Sequence, residues 1–214
     1  MQPKIQKLLY SFFGKYKLRT FVKGEIIIRS GNKKIFFLTK GVVRMFTNLK
    51  GIDQLTLNVY KANSIFPMNL ILGVNGDKYR YDALTEVEGY FSPKKDFEAF
   101  LRKNPQILFD LLKRIYRGLD GLFMHLQALL TGDAYFRIVT SLIIYAKRFG
   151  KLNQDKITFD YHLTHHQLAL QTGLARESVT KEIKILQDKG LVGYLGKKLF
   201  IYNLYRHCLI IKIS

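Results

Sequence analysis

Arg176, Glu177, Thr180, Lys181 and Lys184 fall within an arc of about 140° when the chain from Arg176 to Lys189 is wound at roughly 100° per residue. That combination of groups can read the edge of a nucleic-acid base. An arginine forks onto the two acceptors of guanine, and a glutamate accepts from the cytosine amino group. Lysine and threonine serve bases or phosphates. Val179, Ile183 and Leu186 share the opposite, narrower face. One side is built for burial and the other for hydrogen bonding. An ordinary amphipathic helix with a solvated charged face has the same pattern, so the flanking residues decide.

Those residues frame two short helices joined at a glycine. Thr164 and Gln167 have the spacing of a capping box, which predicts a helix start. Leu168 and Ala169 begin its apolar side, and Gly173 supplies a sharp turn. The second helix is expected from about Arg176 to Lys189, stopping at Gly190. Beyond it, Leu191 to Tyr194, a Gly196-Lys197-Lys198 turn and Leu199 to Tyr202 give a hairpin signal. Lys197 and Lys198 at its tip are placed for phosphate contacts, with a solvated turn the alternative.

The segment LTHHQLALQTGLARESVTKEIKILQDKGLV, residues 163–192, resembles the DNA-binding end of Crp/Fnr-type transcription regulators. Their pattern is close to LTxxxLAxxxGxxRExVxxxIxxLxxxGLI. Leu163, Thr164, Leu168, Ala169, Gly173, Arg176, Glu177, Val179, Ile183, Leu186, Gly190 and Leu191 carry the match. The resemblance implies Arg176 and Glu177 as base readers, Lys181 as a third reader, and Thr164 and Ser178 as phosphate contacts. Lys181 stands where an arginine is common, which loses the bidentate fork. Ala175 replaces a frequent serine or threonine, which removes a cap and a phosphate donor. The half-site is therefore expected to drift from the family's TGTGA-like word.

The elements upstream must position this unit. From Phe21 to Ser92, short apolar runs alternate with glycine and asparagine turns, a pattern of antiparallel strands. Ile26 to Ile28, Ile35 to Leu38 and Val42 to Phe46 are such runs. Gln54 to Tyr60 alternates, with Leu55, Leu57 and Val59 expected on one side. Gly24, Glu25, Gly31 and Gly41 also sit where Crp/Fnr proteins place the turns of an N-terminal β-roll.

Between Asn104 and Thr131 the pattern becomes helical. Leu108, Leu112, Ile115, Leu119, Leu122, Leu126 and Leu129 form an unbroken heptad seam, the mark of helices pairing along their length. Such a helix spans roughly 40 Å. Leu111, Tyr116, Phe123 and Leu130 widen the stripe, so one side is expected to cover the roll while the seam meets a second chain. The resemblance implies the same homodimer. Gly132-Asp133 breaks the pattern, and Ala134 to Phe149 reads as the next helix.

The expected fold is α+β. An antiparallel, cyclic-nucleotide-binding-like β-roll occupies 1–103, a dimerisation helix 104–131 and a winged helix-turn-helix 132–214. Two recognition helices would enter successive major grooves of a palindrome about 34 Å apart. Double-stranded DNA, a second copy, RNA polymerase and an unidentified small-molecule effector are the implied partners. Two other readings stay open: a dimeric interaction module without DNA specificity, and a cyclic-nucleotide sensor with a divergent pocket.

Composition is consistent with this. The net charge is +19, which favours a polyanionic partner, although both parts of the chain share the excess and an AT-rich genome would give a similar composition. A 48% hydrophobic content without a long apolar run predicts a soluble chain with no membrane span. Met1 to Phe13 lacks a signal-peptide core, so a cytoplasmic location is expected. Cys208 is the single cysteine, which excludes an intramolecular disulfide and a four-thiolate iron–sulfur centre.

Other chemistry finds little support. Cyclic-nucleotide sensors of this superfamily hold their ligand with a Gly-Glu-x-x-Leu turn and a later Arg-Ser/Thr pair. Here the corresponding stretches read Ile65-Phe66-Pro67-Met68-Asn69-Leu70 and Tyr81-Asp82-Ala83-Leu84-Thr85, and Arg80 is out of register. Cyclic AMP binding in the usual way is not expected. His162, His165 and His166 lie close together without a cysteine nearby, and fit helix entry or DNA-backbone contacts better than a metal. His125 beside the seam reads as a packed interfacial histidine. No cofactor is expected. No phosphate-binding glycine loop, nucleophile elbow or metalloprotease helix occurs, so an enzyme is not expected.

Overall fold

The computed structural model describes residues 2–29, 31–49, 52–73, 79–159 and 161–202, which belong to two compact units, 1–118 and 119–214. Cys208 lies outside the described residues.

In the first unit, α1 (Pro3–Phe13) precedes β1 (Leu18–Phe21), β2 (Ile26–Ile28), β3 (Lys34–Lys40), β4 (Val42–Leu49), β5 (Ile52–Lys61) and β6 (Ser64–Phe66). Then follow α2 (Met68–Ile71), β7 (Arg80–Ala83), β8 (Val87–Pro93), α3 (Lys94–Lys103) and the first half of α4 (Pro105–Thr131). The strands form two antiparallel four-stranded sheets, ordered β1-β8-β3-β6 and β2-β7-β4-β5. This is the expected roll. Gly24, Gly31 and Gly41 stand at its turns with φ of 88°, 83° and 92°. At Gly41 only glycine fits, because a Cβ would meet the Glu86 carbonyl oxygen at 2.1 Å.

β3 explains how the sheets hold helices on one side and a core on the other. Ile35, Phe36, Phe37 and Leu38 are all fully buried, because both faces of the strand are covered. Ile35 and Phe37 pack with Leu9 and Phe13 of α1, Phe97 of α3, and Ile107 and Leu111 of α4. Phe36 and Leu38 point into the roll with Val43, Phe66, Tyr81 and Val87. The helix face that covers the roll is thus made by Ile107 and Leu111.

β5 departs from the simple alternation. The register slips beside it, from Met45↔Asn58 to Phe46↔Thr56, so Leu57 falls at a bulge and is exposed while Val59 is buried. Leu55, Leu57 and Val59 therefore do not share one buried face.

The second unit takes the rest of α4, then α5 (Ala134–Phe149), β9 (Gly150–Asn153), β10 (Lys156–Phe159), α6 (His165–Thr172), α7 (Arg176–Asp188), β11 (Val192–Leu195) and β12 (Lys198–Tyr202). α4 stops at Thr131, and Asp133 caps α5 by accepting from the Phe136 amide at 2.8 Å. Its sheet runs β11-β12-β10-β9. The β9–β10 hairpin has no counterpart in the sequence expectations. Ile138, Leu142 and Tyr145 of α5 are buried, as are Leu168, Val179, Ile183, Leu186, Leu199 and Ile201.

Along α4 two apolar rows remain exposed. Leu108, Leu112, Leu119, Leu122 and Leu126 are 37–54% exposed, while Ile115 and Leu129 are half-buried. Phe109, Tyr116, Phe123 and Leu130, themselves seven apart, reach 60–75%. Tyr116, Phe123 and Leu130 thus face solvent.

Candidate nucleic-acid interface

α6 starts where its side chains satisfy its orphan amides. Thr164 Oγ1 accepts from the Gln167 amide at 3.1 Å, and Gln167 Oε1 accepts from the Thr164 amide at 2.9 Å. The helix ends at Gly173, whose φ of 65° lets its N–H return to the Ala169 carbonyl at 3.0 Å. That turn delivers the chain to α7. Ala175 occupies the N-cap position with extended backbone and no side-chain acceptor.

α7 then presents the two faces that its spacing predicts. Val179, Ile183 and Leu186 are at most 2% exposed, whereas Arg176, Glu177, Thr180, Lys181 and Lys184 all face solvent. Ser178 and Thr164 are half-buried. The helix closes with paired bonds from the Gly190 amide to the Gln187 carbonyl and from the Leu191 amide to the Leu186 carbonyl. This is a Schellman stop. Lys189 Nζ rests 4.4 Å from the centre of the Tyr135 ring on α5.

β11 and β12 form the wing. Leu195 pairs with Lys198, leaving Gly196 (φ 59°) and Lys197 as a two-residue loop. Lys197 and Lys198 are exposed, and Lys198 is already the first residue of the strand. Leu195 beside them is 72% exposed.

One histidine of the cluster has a role that spacing did not reveal. His165 Nδ1 lies 2.9 Å from Thr180 Oγ1, and its Nε2 lies 2.6 Å from the Tyr194 hydroxyl. These contacts join α6, α7 and β11. Their partners are distant in sequence, and a histidine opening a helix carries no signal for them. His162 and His166 are exposed, and among the described residues no three His, Cys, Asp or Glu side chains gather as a metal site would need. His125 Nε2 donates to the Gln171 carbonyl at 2.7 Å, and the Gln171 amide donates to the Tyr145 hydroxyl. His125 is thus a packed histidine within the second unit.

The roll interior is filled by side chains. Phe66 and Tyr81 stack with ring centres 4.9 Å apart, with Tyr60 and Phe36 against Phe66. Burial among these rings raises the Tyr81 phenol well above its ordinary pKa. Arg44 and Asp82 pair beside Gln54. Ile65, Phe66, Tyr81, Asp82 and Ala83 are all buried.

Similarity to known proteins agrees with this anatomy. Residues 18–104 match the cyclic nucleotide-binding domain family, and residues 137–206 match the Crp-like helix-turn-helix domain. The global nitrogen regulator of Nostoc sp. is 27% identical over 190 residues, covering 87% of this chain and 85% of the relative. The cyclic AMP receptor protein of Thermus thermophilus is 23% identical over 194 residues, covering 90% and 85%. Among solved structures, a CooA mutant from Carboxydothermus hydrogenoformans shares the fold with a TM-score of 0.74 at 16% identity, covering 90% of this chain and 86% of that one. Two domain types in this order, with relatives that span both, place the chain in the Crp/Fnr superfamily of transcription regulators.

Proposed function

We propose that the protein is a homodimeric, sequence-specific regulator that binds a palindromic DNA site. The observation that carries this reading is the α7 surface: five exposed hydrogen-bonding side chains set on a buried Val179-Ile183-Leu186 face. Arg176 and Glu177 in its first turn are the base readers, with Lys181 a third. Lys197 and Lys198 meet phosphates from the wing. Thr164 and Ser178 are the inner phosphate contacts. Thr180 has a narrower role, because its hydroxyl proton goes to the Arg176 carbonyl at 2.9 Å, leaving a lone pair and a methyl group for DNA.

The functional division is 1–103 for the roll, 104–131 for the dimerisation helix and 132–214 for the DNA-binding domain. A second copy covers the α4 seam of Leu108, Leu112, Ile115, Leu119, Leu122, Leu126 and Leu129. Leu112, Leu119 and Leu126 lie between the rest of that seam and the exposed row through Phe109, Tyr116, Phe123 and Leu130, so these three leucines are the centre of the apolar face. The aromatic filling of the roll supports a signal other than a cyclic nucleotide, although several relatives are cyclic-AMP-activated regulators. RNA polymerase is the further partner of such a regulator. Selecting binding sites from a random DNA pool tests the proposal. Recovery of one two-fold symmetric word supports it, and recovery of unrelated sequences overturns it.

A further inference from the structure

Three bonds around His165 run in one direction. The Thr180 hydroxyl spends its proton on the Arg176 carbonyl, so toward the imidazole it can only accept. Nδ1 therefore carries the ring proton and donates to Thr180. Nε2 keeps its lone pair, and the Tyr194 hydroxyl donates to it. The chain of donors runs from the wing strand through α6 to the first turn of the recognition helix, satisfied throughout by a neutral ring.

We infer that His165 is a positioning residue for DNA recognition, holding the wing and the recognition helix in one mutual arrangement while its ring is neutral. Tyr194 precedes Leu195, which opens the Lys197 loop, and Thr180 stands one helical turn after Arg176. The bridge thus links the element that meets phosphates to the element that meets bases. This inference rests on the DNA-binding reading above.

The groups bearing on the ring are Arg176 of α7, His162 before α6, and Tyr194 of β11. Burial comes first, then the positive charge of Arg176 and the neighbouring His162, and all three hold the His165 pKa below its ordinary value. A second proton would sit on Nε2, where the Tyr194 donor now points. In this donor order the bridge is complete above that depressed pKa; as pH falls through it, the Nε2 bond must reverse, with the Tyr194 hydroxyl accepting and an imidazolium charge set beside Arg176.

The test uses the full-length chain, the palindrome it selects and a random duplex of equal length, at fixed salt. Binding is followed by fluorescence anisotropy between pH 5 and 8 for wild type, His165→Ala, Tyr194→Phe and the double variant. Tyr194→Phe keeps the ring and removes only the donor, and thermal melting checks its fold. At neutral pH it is expected to weaken palindrome binding about 5-fold, the worth of one hydrogen bond. The double variant should be no weaker than His165→Ala alone, because both break one bridge. The wild-type preference for the palindrome over random DNA should decline as pH falls, and Tyr194→Phe should flatten that step. Additive losses, equal losses on random DNA, or an unchanged pH step in Tyr194→Phe would overturn the inference. If the palindrome is read through Arg176 while all three variants bind like wild type, only the role of His165 falls. If no palindrome is selected, the DNA-binding reading falls and takes the inference with it.

Discussion

Arg44 of β4 and Asp82 of β7 form a buried two-point ion pair, with Arg44 Nε 2.9 Å and Nη2 2.5 Å from the two carboxylate oxygens. Both side chains are only 9% exposed, and Gln54 Oε1 accepts a further bond from Nη2 at 2.7 Å. Asp82 belongs to the stretch Tyr81–Thr85, which the resemblance sets against a nucleotide-binding segment. Here it neutralises a cation belonging to the same sheet. Asp82→Asn should leave that cation uncompensated and cost about 3–5 kcal/mol in urea unfolding. A loss below about 1 kcal/mol would show that water reaches the pair.

The helix caps give a paired prediction in both directions. Thr164→Ala removes the acceptor of the Gln167 amide and should destabilise the protein by about 1 kcal/mol. Ala175→Ser places an acceptor at an N-cap that has none and should stabilise it by about 0.5–1 kcal/mol. Calorimetric melting of the two variants measures both. A destabilising Ala175→Ser would mean that the serine does not reach the α7 amides.

The α4 seam has its own check. Leu119 lies on the exposed seam beside the row of Tyr116 and Phe123, and Leu119→Lys would set two charges against each other across a dimer axis. The cost is expected to be on the order of several kcal/mol, enough to give monomers in analytical ultracentrifugation. An intact dimer would place the interface elsewhere.

The aromatic packing of the roll predicts no strong cyclic-nucleotide response. Titration calorimetry with cyclic AMP and cyclic GMP should show no micromolar binding and no large rise in melting temperature. A micromolar constant accompanied by tighter DNA binding would contradict the core reading of Phe66 and Tyr81.

The sequence expressed most clearly what is local and periodic. Thr164 and Gln167 name their own cap, and Val179, Ile183 and Leu186 name the buried side of α7, because a helix repeats its faces at fixed spacing. Gly24, Gly31 and Gly41 marked turns because few other residues adopt positive φ. What escaped notice depends on partners far along the chain. The face of Leu57 changes through a slip against β4, and a one-residue slip leaves no trace in a hydrophobic pattern. The β9 and β10 strands are only 4 residues each and are held by pairing with β12 and with each other. His165 reaches Tyr194 across 29 positions, and of the residues that widen the α4 stripe Leu111 packs on the roll while Tyr116 is exposed.

Base reading by α7 is tested most directly by the affinity of wild type and Arg176→Ala for the selected palindrome and its single-base variants. Salt must be fixed, because a net charge of +19 attracts any duplex. Arg176→Ala should cost about 1–3 kcal/mol per half-site and relax preference at one base pair. Lys197→Ala, measured alongside, should weaken specific and random DNA together and lower the salt slope by about one. Equal, sequence-independent losses in both variants would mean that α7 lies along the backbone and that the protein binds DNA without reading it.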